Sequence, residues 1–272
     1  MAAGFEIASI HINRGIILQT AMTEIHLSDQ LKSNYEDYYE EGASEWRRLG
    51  ALGKADNVVS ICSDLPRESV LEIGAGEGSV IGRLSELEFG KQLYAVEISP
   101  SGLEVIKRKN IPRMAECKLF DGYQIPYEDG RFDIAILSHV VEHVEHPRQL
   151  LYEAAQVAKY VFVEVPLEDT VRLPYDFVFD KVGHINFYSA KTIRRLLQSC
   201  NLRIIRQIIT NPAKGTFTHK KGYKGLINYY VKQFLLRAAP RGATRIFTYH
   251  AALVCASNRL GLEVLAVDRG RQ

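Results

Sequence analysis

The chain has no run of about eighteen apolar residues, so no segment reads as a membrane-spanning helix. Its four cysteines, Cys62, Cys117, Cys200 and Cys255, form no CxxC pair and no metal-knuckle spacing, which predicts reduced thiols in a cytoplasmic protein. The apolar residues from Phe5 to Leu18 are interrupted by Glu6, His11 and Arg14, and the basic start and cleavage site of a secretion signal are missing. Internal repeats and low-complexity linkers are absent as well. Acidic residues are missing between Asp180 and Glu263 while Lys and Arg recur there, so the net charge of +2 conceals an acidic first part and a basic last third. That imbalance leaves open an anionic substrate, a nucleic-acid or membrane-surface contact, or a solvated face balanced elsewhere in the fold.

What is present is the composition of a folded chain: 272 residues, 46% hydrophobic and 24% charged, enough for one large α/β domain but short for two. Residues 1–66 read as a helical lead-in, with Leu49, Leu52, Ala55, Val58, Val59 and Ile61 near helical spacing before Pro66. From Ser69 the pattern alternates. Short apolar runs at 69–73, 92–98, 115–120, 132–138 and 160–166 predict strands, and Ser79–Leu87, Ser101–Lys109 and Arg148–Lys159 predict helices, the first two opened by serine caps. The runs lack strict alternation, which predicts strands covered on both faces: a doubly wound, mostly parallel α/β sheet. A helix at Ala190–Ser199, strands at Leu202–Ile209 and Phe247–Ala256, and a basic helical insertion at 211–246 with one amphipathic helix near Leu226–Ala239 complete the reading. The boundaries are a lead-in at 1–66, a nucleotide-type core at 67–210, a cap at 211–246, and a last strand and tail at 247–272.

The strongest motif is the run from Val70 to Ser79, where a strand carrying Glu72 ends in Gly74-Ala75-Gly76-Glu77-Gly78. Alternating glycines let the main chain turn tightly and approach a ligand, and the following helix points its N–H groups at an anionic group. A dinucleotide fingerprint would place its third glycine where Ser79 stands, so E-x-G-x-G-x-G describes the run better. Glu97 closes the next strand about twenty residues on, where a carboxylate accepts hydrogen bonds from both hydroxyls of a ribose.

These residues resemble motif I and the ribose position of class I S-adenosylmethionine (SAM)-dependent methyltransferases, and the stretch from Pro126 to Pro147 resembles the fourth-strand region of their ubiquinone and small-molecule branch. The resemblance covers about Ser69 to Leu202. It implies a seven-stranded Rossmann-like sheet and SAM as cofactor, held by Glu72, Gly74, Ala75, Gly76, Gly78, Glu97 and Ile98. It also implies that Asp121 accepts from the adenine amino group beside Gly122 and Tyr123, although Gly122 departs from the apolar residue usual there. Tyr35, Tyr38, Tyr39, Trp46, Arg47 and Arg48 are similar to the N-terminal segment that closes over SAM in relatives, and Arg47 is the candidate partner for its carboxylate.

His139-Val140-Val141-Glu142-His143 matches an inverted zinc-protease motif, but that motif needs a helix and this stretch begins at a strand end without an evident third ligand, so no metal is expected. Ser138 and His139 instead fall at the rim beside the SAM sulfur. In the loop beyond Pro166, with Asp176, Asp180, His184, Asn186 and Tyr188, His184 is the leading general-base candidate and His139 the second. Alternatively His184 and Asn186 cap the helix starting at Ser189.

The expected function is methyl transfer to a small-molecule oxygen, hydroxyl or carboxylate, of a natural product or sugar derivative, with the basic last third favouring an anionic acceptor. A methyltransferase acting on RNA or a peptide is the alternative, because Tyr223, Tyr229, Tyr230 and Phe234 interleave with cations there. A non-catalytic SAM-binding protein is the third reading.

Overall fold

A computed structural model describes residues 45–177 and 183–257. Most of the lead-in, including Tyr35, Tyr38 and Tyr39, lies outside the described residues, as does Asp180. In chain order the elements are α1 (Glu45–Cys62), β1 (Ser69–Ile73), α2 (Ser79–Glu86), β2 (Gln92–Glu97), α3 (Pro100–Arg108), β3 (Met114–Leu119), β4 (Phe132–Ser138), α4 (Pro147–Val157), β5 (Ala158–Pro166), α5 (Ala190–Ser199), β6 (Arg203–Thr210), α6 (Lys214–Ala238), α7 (Pro240–Ile246) and β7 (His250–Ala256).

The seven strands form one sheet in the order β3-β2-β1-β4-β5-β7-β6. β1 to β5 pair in parallel, and β7 inserts antiparallel between β5 and β6. The inner strands are apolar on both faces for the reason the sequence suggested: their alternate residues enter opposite cores, whereas the edge strands β3 and β6 have no fully buried residue. Val70, Ile134, Ile136, Phe162 and Val254 meet α1 and α2, whereas Leu71, Ile73, Ala135, Leu137, Val163 and Leu253 join the core that holds α4 and α5. The bottom of the sheet is tied by Asp133, whose carboxylate accepts from Glu68 N and Ser69 N at 2.8 and 3.3 Å and pairs with Lys159 Nζ at 2.8 Å.

The chain steps outward from β1 to β3 and then returns to β4 on the other side of β1. The carboxyl ends of β1 and β4 therefore diverge into a crevice, the usual ligand position of such sheets.

Three local expectations are corrected. α2 has no serine cap: Gly78 is its N-cap in a left-handed conformation, and Glu72 Oε2 accepts the Ile81 N–H at 2.9 Å instead. α3 is capped by Ser99 rather than Ser101. The insertion holds a helix of 25 residues kinked at Gly222, followed by α7, rather than the single short helix expected from its apolar stripe. Gly222 and Gly225 interrupt the apolar spacing and hide the first half of α6 from a periodicity argument. Among the described residues no helix is long and apolar enough to cross a membrane.

Candidate functional site

Gly74, Gly76 and Gly78 all lie in the left-handed region, at φ of 70°, 57° and 73°. At Gly74 a Cβ would come within 2.7 Å of Val140 Cγ2, so the turn after β1 can pack against the turn after β4 only without a side chain. Gly74 N and Ala75 N hydrogen-bond to Val96 O, which fastens the loop to β2.

β2 delivers Glu97 beside this loop, buried and with both oxygens on main-chain N–H groups: Gly76 at 2.6 Å and Ser99 at 3.0 Å. A carboxylate has about four acceptor positions, so these bonds fix Glu97 and still leave capacity for hydroxyls. Burial raises its pKa, and burial lifts that of Glu72 to about 8 against the Ile81 N–H and the Lys54 ammonium. The loop, Glu72, Glu97 and Ile98 line one cavity of about 640 Å³, within the range of about 300–1,000 Å³ usual for small-molecule sites.

The same cavity is bounded by Ser138, His139, His143, Glu168, His184 and His250. Ser138 Oγ is buried without a hydrogen-bond partner among the described residues. His139 is held at φ 59°, a strained conformation for a residue with a side chain, and its N–H bonds to Glu164 O at 2.9 Å. Its Nδ1 lies 3.2 Å from Glu142 Oε1 and its Nε2 3.3 Å from Glu164 Oε1. Glu164 also meets His250 Nδ1 at 3.1 Å and accepts from Asn57 Nδ2 at 3.1 Å. His184 Nδ1 contacts Glu168 Oε2 at 2.7 Å. Burial would raise Glu142 and Glu164, but the imidazoles around them outweigh it and keep both below the usual carboxylate range.

Most of the expected site residues converge here: Glu72, Gly74, Ala75, Gly76, Glu97, Ile98, Gly122, Ser138, His139, Arg47 and His184 all line the cavity. Gly78 does not; it serves as the cap of α2. Asp121 is not among the lining residues either, and its Oδ1 accepts the N–H groups of Tyr123 and Gln124 at 2.8 and 2.7 Å, which shapes the turn under Gly122. Arg47 pairs with Glu77 of the glycine loop at 2.9 Å, and Arg48 with Glu45. Neither His184 nor Asn186 caps α5, because Ser189 and Thr192 cap it reciprocally. Asn186 Nδ2 instead donates to Val141 O and Val144 O, tying its loop to the turn after β4.

Sequence reasoning missed Lys54, Asn57, Glu164 and His250. Lys54 and Asn57 sit on the cavity face of α1, and Lys54 has its pKa lowered by burial against the pull of Glu164, Glu142 and Glu72. The available signal was a charge inside an apolar strand, Glu164 in YVFVEVP. Of the basic residues in the last third, Lys221 lines the cavity, while Lys214, Lys224, Arg237, Arg241 and Arg245 are exposed and Lys232 is buried against Thr248 O at 2.7 Å. Asn211, Pro212, Ala213, Thr216, Phe217 and Asn228 close the cavity from the side of the insertion.

Residues 41–207 match the family model described as a methyltransferase domain. The chain belongs to this class I SAM-dependent methyltransferase family. A curated methyltransferase relative is norajmaline N-methyltransferase of Rauvolfia serpentina, 24% identical over 148 residues, covering 50% of this chain and 49% of that protein. The aligned stretches span 27% to 57% of the curated relatives' own lengths. Among solved structures, geranyl diphosphate methyltransferase in complex with GPP and sinefungin superposes with a TM-score of 0.59 at 10% identity, over 84% of this chain and 99% of that one. The [4+2]-cyclase SpnF superposes with a TM-score of 0.56 at 15% identity, over 75% and 80%. At such identities the superpositions establish the fold.

The family's cofactor is SAM, and the cavity suits it. The glycine turn offers bare main chain, Glu97 is fixed at the strand end with acceptor capacity remaining, and Ser138, whose buried Oγ has no partner among the described residues, lines the same space.

Proposed function

We propose that the protein methylates an oxygen of a small-molecule acceptor, with SAM as methyl donor. The observation that carries this reading is that one cavity joins the glycine turn and Glu97 to an imidazole and carboxylate cluster at the opposite wall. When bound, SAM supplies a methyl group on an already activated leaving group, so the chain's task is to hold the acceptor in line and manage its proton.

His184 and His139 are the imidazoles placed for that proton. Glu168 orients His184 through Nδ1, and Glu142 and Glu164 flank His139, so a positive charge on either ring is balanced. For a hydroxyl acceptor, His184 or His139 would take the O–H proton as the oxygen is methylated, the activated methyl being what the bound cofactor would supply. A carboxylate acceptor needs no base. The partly buried Lys54, with Arg47 and Lys221, gives the cavity the cations that an anionic acceptor or the methionine carboxylate requires.

The test is release of S-adenosylhomocysteine by the full chain with a panel of hydroxylated natural products, sugar derivatives and carboxylic acids. Turnover that His184→Ala and His139→Ala reduce for hydroxyl acceptors supports the reading. Cofactor binding without turnover across the panel favours a non-catalytic role, a real alternative because the same fold serves the cyclase.

One observation favours a second reading, a macromolecular acceptor such as RNA or a peptide. Tyr223, Ile227, Tyr230 and Phe234 form an exposed stripe along α6 instead of the core face their spacing suggests, and Lys224 and Arg237 are exposed on the same helix. Salt-sensitive RNA binding lost on Tyr223→Ala and Tyr230→Ala would establish that reading.

A further inference from the structure

The H-x-x-E-H run sits on a turn rather than a helix, with His143 N bonded to Val140 O, and the loop after β5 supplies the additional ligand that the sequence did not reveal. We infer that Glu142, His143 and His184 form a binding site for one first-row divalent cation, and that this cation holds the acceptor oxygen.

Four observations converge on this site. One potential ligand atom from each of the three residues lies within 4.8 Å of the other two. Glu142 is fully buried, and among the described residues neither of its carboxylate oxygens has a hydrogen-bond partner. A buried carboxylate in that condition is costly unless a positive charge compensates it. The imidazole contact that Glu142 does have, His139 Nδ1 at 3.2 Å from Oε1, is an ion-pair contact outside hydrogen-bond geometry. Finally, both imidazoles have the outer support typical of metal ligands: His184 Nδ1 rests on Glu168 Oε2 at 2.7 Å and His143 Nδ1 on Gly183 O at 3.1 Å.

The separation between His184 Nε2 and Glu142 Oε1 is 4.0 Å. Ligand bonds of about 2.0–2.2 Å bring neighbouring ligand atoms to about 3–3.5 Å, so binding draws this pair together by about 0.5–1 Å. The neighbouring group of His139, Glu164 and His250 differs, because Glu164 is already satisfied by His250 and Asn57. Two imidazoles and a carboxylate favour Zn²⁺, Co²⁺, Fe²⁺ or Mn²⁺ over Mg²⁺ or Ca²⁺, which prefer oxygen ligands throughout.

His143 and His184 line the cavity while Glu142 closes the site from behind, so the remaining coordination positions face the acceptor. This deepens the reading of an oxygen acceptor and rests on it: the favoured class is a molecule with a hydroxyl beside a second oxygen donor, such as a catechol, a vicinal diol or a hydroxy acid. His184 then acts as a ligand, and the proton acceptor is His139.

The test is titration of the chelator-treated full chain with Co²⁺, followed by visible absorption, in parallel with calorimetric titration by S-adenosylhomocysteine. One saturable Co²⁺ per chain is expected, weakened at least about tenfold in Glu142→Gln and in His143→Ala. Cofactor affinity retained in Glu142→Gln shows that the fold survives. Wild-type protein with no saturable Co²⁺ spectrum, or equal affinity in the wild type and both variants, overturns the site. Co²⁺ binding without S-adenosylhomocysteine binding leaves the cation site standing and overturns the methyl-transfer reading; the converse leaves that reading and removes the cation.

Discussion

Replacing Glu72 by Gln tests whether the acid of the glycine motif is the buried, protonatable group that the fold makes it. Glu72 is almost fully buried, accepts one main-chain N–H, and titrates at about 8 against an ordinary 4.5. The folded chain therefore keeps this proton where the unfolded chain has released it. Stability is greatest below the unfolded value, declines by about 1.4 kcal/mol per pH unit between the two values, and levels off above the folded one. From about pH 5.5 to about pH 7.5 the loss is about 3 kcal/mol, which for a chain of 272 residues corresponds to a fall in melting temperature of about 5 °C. Glu72→Gln cannot ionise and escapes this decline. Melting temperatures of both proteins, recorded by scanning fluorimetry across that range, should diverge as pH rises, the variant gaining relative to the wild type. Parallel curves would refute the burial argument.

Other perturbations address the remaining parts of the site. Gly76→Val forces a β-branched side chain into a left-handed conformation beside Glu97 and should abolish S-adenosylhomocysteine binding; unchanged affinity by calorimetry would count against the loop's placement. Lys54→Met removes an ammonium from the cavity wall and should weaken binding of a carboxylate-bearing ligand by about tenfold or more, read as a change in dissociation constant at constant pH. Burial works against the Asp133 carboxyl, but Lys159 and the Ser69 and Glu68 N–H groups outweigh it and lower its pKa. Its stabilising contribution is present above the ordinary value and lost as pH falls through the folded one, so Asp133→Asn should lower the melting temperature at neutral pH and lose part of that deficit in acid.

The parallel part of the sheet was legible because each strand from β1 to β5 is a short apolar run closed by a turn residue, and the glycine turn announced itself by its spacing. Glu97 was legible for the same reason, as an acid at a strand end. The polar wall was only half visible. His139, Glu142 and His143 are neighbours in sequence, but His250 joins them only because β7 runs antiparallel beside β5, a register that places His250 opposite Pro166 and Ala252 opposite Glu164. Lys54 and Asn57 enter from α1, whose apolar spacing describes only the face turned toward the sheet. Asp121 stands at a position that the resemblance named, and its Oδ1 is engaged with its own turn.

A crystal structure of the full chain with S-adenosylhomocysteine tests the cofactor's placement directly. The nucleoside is expected to lie against Gly74, Ala75 and Gly76 with its ribose hydroxyls on Glu97 and its sulfur toward Ser138 and His139. A cavity left vacant at saturating ligand, or the nucleoside bound elsewhere on the molecule, would contradict that placement.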